Sequence, residues 1–70
     1  MKHRRAITLK EIIKIVPMAL IVKIDEDAVG IVTSEEMADS QLALVCSKYS
    51  LRFTFAAVDA QRAVYTFEMK

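Results

Sequence analysis

The sequence predicts an α+β domain of order α-β-β-α-β-β, a four-stranded antiparallel sheet with two helices on one face. Three observations carry that expectation. Two helix-start signals of the same build stand at Thr8 and Thr33. Each precedes a stretch of helical period that gives way to a pair of apolar, strand-like runs. The last twenty residues, Leu51 to Lys70, alternate so that like side chains can pair across a hairpin.

In "ITLKEI", Thr8 can cap a helix and Glu11 can reach back to it, with Ile7 and Ile12 placed as a hydrophobic staple. The helix is expected from Leu9 to Val16, with Leu9, Ile12, Ile13 and Val16 on one face and Pro17 as its stop. "MALIVKIDEDAVGIV" then reads as strand, acidic turn at Asp25-Glu26-Asp27, strand. Its register stays open, because both faces between Met18 and Val22 are apolar. In "VTSEEM", Thr33 and Glu36 repeat the capping box, and Val32 and Met37 the staple. The second helix is expected from Ser34 to Tyr49. Ala38, Leu42, Val45 and Tyr49 would point inward, Met37 and Leu44 would flank them, and Glu35, Asp39 and Lys48 would face water.

The closing hairpin is predicted with Leu51 opposite Met69, Phe53 opposite Phe67 and Phe55 opposite Tyr65 on its inner face. The outer face then matches Arg52 with Glu68 and Thr54 with Thr66. A slip of two residues would set Arg52 against Lys70. The turn at Asp59-Ala60-Gln61 has neither Gly nor Asn, which favours a loop of three or five residues over a type I′ turn.

Seventy residues make one domain near the size at which a single core is marginal. Cys46 is the only cysteine, so an intrachain disulfide is excluded and a reducing compartment fits. His3 and Cys46 are too few soft ligands for a structural metal, and no metal or cofactor is expected. The chain is nevertheless 54% hydrophobic, against about 45–50% in typical domains. A sphere this small cannot hide that excess, so some of it is expected at an interface. Ala19 and five further residues are assigned to the bare outer face of the sheet. Those five, Ile21, Val32, Ala56, Val58 and Val64, are the candidate contacts of a homo-oligomer or of a larger protein partner.

Charge is balanced overall, at +1, but unevenly placed. Residues 1–7 read as a basic, partly disordered arm ahead of a compact domain at 8–70. "KHRR" gives Lys2, His3, Arg4 and Arg5, and Lys10 and Lys14 extend the charge along the first helix. These six are the candidate nucleic-acid contacts. A solvated terminus is the preferred reading, since every phenylalanine falls on the face assigned to the core and none is left for base stacking. Lys10, Glu11 and Lys14 interrupt any signal-peptide core, and the run from Ile12 to Ile24 is too short and too charged to span a membrane. A cytoplasmic protein without membrane partners is expected.

Catalytic residues are not expected. His3 lies near the terminus, and Cys46 falls late in the second helix, where thiolates are not activated. Gly30 is the sole glycine, so no phosphate-cradling loop can form. The acidic turn at 25–27 lacks the further ligands of a calcium loop and reads as solvated charge. The leading expectation is therefore a small non-enzymatic interaction or regulatory protein, acting through homo-oligomerisation or by binding a larger protein partner via a sheet edge or the exposed apolar sheet face. A nucleic-acid-binding regulator that pairs two basic arms comes second, and a small-molecule sensor with an apolar pocket third.

Overall fold

The computed structural model describes residues 7–69. Its elements are α1 (Leu9–Ile13), β1 (Ala19–Ile24), β2 (Ala28–Thr33), α2 (Asp39–Tyr49), β3 (Leu51–Val58) and β4 (Ala63–Met69). The strands form one antiparallel sheet in the order β1-β2-β4-β3. This is the α+β arrangement that the pattern of segments predicts.

Among the described residues only one face of the sheet is covered. Val29, Ile31 and Thr33 of β2 and Ala63, Tyr65 and Phe67 of β4 are buried, while the residues between them are not. The apolar ones among them join Ile12 and Val16 from the α1 segment and Val45 and Tyr49 from α2 in a single core. Ile7, placed in the N-terminal arm by the sequence boundary, is also buried in that core. The remainder of the arm lies outside the described residues.

Helix α1 begins as expected, with Thr8 Oγ1 accepting the Glu11 N–H at 3.2 Å. It is shorter than its apolar spacing suggests, and Ile13 is exposed. After Ile13 the chain tightens, with the Ile15 and Val16 N–H groups both bonded to Ile12 O. The residue before a proline resists helical geometry, so Val16 leaves the helix while still filling the core.

The start of α2 differs from expectation by five residues. Thr33 is the last residue of β2, paired with both Ala19 and Ala63, and is not a helix cap. The N–H of buried Met37 bonds to Tyr65 Oη at 2.8 Å, which holds the intervening chain off the helical path. Ala38 becomes the N-cap and is exposed, where an inward position was expected. Gln41 supplies the reach-back bond, its Oε1 accepting the Ala38 N–H at 2.8 Å.

The closing hairpin departs from a plain alternation at one point. Leu51, Arg52 and Phe53 face Met69, Glu68 and Phe67 as predicted. A bulge between Phe53 and Phe55 then makes Thr54 an extra residue, and Phe55 faces Thr66 instead of Tyr65. The cause lies at the tip, where the Asp59 N–H bonds to Arg62 O at 2.8 Å and closes a loop over residues 59–62. That closure is one residue out of step with the aromatic pairing at the base, and the bulge absorbs the difference. Thr54 Oγ1 donates to Thr66 O at 3.1 Å and secures it.

Candidate interaction surface

Directly opposed residues of antiparallel strands share a face, so the pairings place each side chain. On the face away from the helices, Ile21, Val32, Val64 and Ala57 stand opposite one another in a row across all four strands. The next row is Lys23, Gly30, Thr66 and Phe55. The third holds Ala28, Glu68 and Arg52, and Asp25 extends it, its N–H bonded to Ala28 O at 2.8 Å in the same register. The face therefore grades from apolar at one end to charged at the other.

Among the described residues no element lies over this face. Ile21 is 46% exposed and Phe55 60%, and Leu20, the extra residue of a second bulge in β1, is 47% exposed. Val32 and Val64, in the two central strands, are half-buried by their neighbours alone. Gly30 leaves a shallow depression of about 300 Å³ bounded by Lys23, Ala28 and Thr66 among others. At the charged end, Arg52 Nη2 and Glu68 Oε1 are 3.1 Å apart. Both side chains are more than half exposed, so the pair contributes at most about 1 kcal/mol.

The predicted interface residues divide between the two faces. Ile21, Val32 and Val64 come together in the first row. Ala56 and Val58 do not, because the extra residue at Thr54 turns them to the helix side, opposite Tyr65 and Ala63. Ala19 is likewise on the helix side, opposite Thr33, and is buried. Phe55 and Ala57 take the places that Ala56 and Val58 were expected to fill, and the local alternation carries no signal of that exchange. On the helix side an apolar margin also remains at β3, where Val58 is 58% exposed and the Phe53 ring leans on Tyr65 and Phe67.

Of the basic residues singled out, Lys2, His3, Arg4 and Arg5 lie outside the described residues. Lys10 and Lys14 are exposed on the α1 segment, but Glu11 sits between them. Its carboxylate lies 3.5 Å from Lys14 Nζ and 3.9 Å from Lys48 Nζ. Cys46 is half-buried in α2. In the acidic turn, Asp25 Oδ1 accepts the Glu26 N–H at 3.0 Å. Among the described residues no three His, Cys, Asp or Glu side chains gather as a metal site would require, and no helix is long and apolar enough to cross a membrane. Comparison with family models, curated proteins and solved structures finds no match for the chain.

Proposed function

We propose that this chain is a small non-enzymatic interaction protein that works in the reducing interior of the cell through the outer face of its sheet. One observation carries the reading: the apolar row Ile21, Val32, Val64, Ala57 crosses every strand with none of the described residues lying over it, and Phe55 stands beside it. Each exposed apolar square ångström left in water forgoes roughly 25 cal/mol, so a covering surface is a direct source of binding energy. The graded charge at the far end supplies orientation, since complementary charge steers encounter and rejects wrong partners.

The test is photocrosslinking in the native cell, with a benzophenone side chain placed at Phe55 or, as a control, at Leu44 on the exposed side of α2. Protein adducts from position 55 that are absent from position 44 support the reading. Equal yields from the two positions, or none from position 55, reject it.

A further inference from the structure

Gly30 is hard to explain within one chain. It sits inside β2, where glycine weakens a strand, and its φ is not positive. A Cβ built on it meets nothing within 4 Å. Neither backbone geometry nor an intrachain neighbour requires glycine at this position. The remaining physical reason for a glycine in a strand is close approach by another molecule.

The outer face indicates which molecule. The strand order β1-β2-β4-β3 allows a second copy to be turned over about a line that runs along the strands between β2 and β4. Every cross-strand row then meets itself, with β1 over β3 and β2 over β4. In the first row Ile21 meets Ala57 of the second copy, and Val32 meets Val64. In the second, Lys23 lies over the ring of Phe55, an attractive cation–π placement. Gly30 lies over Thr66, so the depression receives a side chain. In the third, Asp25 meets Arg52. Turning the copy across the strands instead would press Ile21 against Asp25, Val64 against Glu68 and Ala57 against Arg52, and strip those charges of water without new partners.

Resting on the outer-face reading above, we infer that the occupant of this face is a second copy of the chain. The two copies are related by a two-fold axis close to the strand direction, in an aligned sandwich with all four helices outside. Four strands about 4.8 Å apart, each contributing about six residues at 3.3 Å, bury on the order of 1,000 Å² in the two copies together. That is the lower bound for a specific interface, so the dimer forms reversibly with concentration.

The experiment is sedimentation equilibrium over a wide concentration range on the wild-type chain and on G30V, F55K and V58K, with chemical denaturation to confirm folding. G30V adds a β-branched residue to a strand and keeps the single chain folded, but fills the space that Thr66 of the second copy takes. It is expected to raise the dimer Kd about tenfold or more, as overpacking of a fitted contact does. F55K sets two lysines together and is expected to do the same or worse. V58K, on the helix side, is expected to leave the dimer unchanged. A monomer at every concentration overturns this inference and leaves the outer-face reading to the crosslinking. A dimer broken by V58K but untouched by G30V and F55K overturns both, because association would then run through the helix side of β3.

Discussion

Ser50 ends α2 with φ 55° and ψ 52°, and its N–H bonds back to Cys46 O. A residue with a Cβ is strained in this left-handed region, where helix ends favour glycine. Ser50→Gly is expected to stabilise the fold by about 0.5–1 kcal/mol, the relief of strain exceeding glycine's added freedom in the unfolded chain. Urea unfolding read by circular dichroism checks it. Tyr65 shows the opposite case. Its buried hydroxyl accepts the N–H of buried Met37, twenty-eight positions away in the chain. Tyr65→Phe keeps the ring and orphans that donor, and is expected to cost about 1–3 kcal/mol by the same measurement. The alternation Ala63, Tyr65, Phe67 marks Tyr65 as a core residue in the sequence alone, and the structure agrees. The use of its hydroxyl was not legible, because no local pattern reports a bond between segments so far apart.

At the scale of elements, legibility follows how local the cause is. The Thr8 cap and the strand runs each depend on neighbours in the chain, and each appears where the residues imply, whereas α1 ends at Ile13, short of the stop expected at Pro17. The second capping box failed because Thr33 had two uses. Ladder pairing with Ala19 and Ala63 gained more than capping a helix that Tyr65 Oη holds back. The bulge at Thr54 was invisible for a related reason. The base of the hairpin and its tip each choose a sensible register, and only their sum needs an extra residue. Half of the candidate surface was therefore legible, on the strands whose phase does not pass through that bulge. The shortness of α1 carries its own prediction. A helix of five residues cannot persist by propensity, so its cap and the burial of Ile12 hold it. Thr8→Ala removes the oxygen that accepts the Glu11 N–H and is expected to cost about 0.5–2 kcal/mol, with amide exchange rising first at Glu11.

The whole molecule holds its apolar residues in two populations. One is a compact core centred on Phe67, Ile31, Ile12 and Leu51. The other includes Ile21, Phe55 and Leu20 in water, together with Ile24, Phe53 and Val58 along the margins of the helix side. A domain of seventy residues has only about 3.5–10 kcal/mol of net stability, so a few such side chains, once covered, change it measurably. Covering by a second copy makes stability depend on concentration, because mass action favours the associated, folded state. For a folded dimer that dissociates into unfolded chains, each tenfold rise in concentration adds about 0.7 kcal/mol per chain. In a domain of this size that shifts Tm upward by roughly 3–6 °C. Differential scanning fluorimetry or calorimetry across two decades of concentration reads the slope directly. The wild-type chain is expected to show it, and Ile21→Lys, which places a charge in the apolar row without disturbing the core, is expected to abolish it. A wild-type midpoint that does not move with concentration would count against self-association and leave the outer face to the crosslinking test.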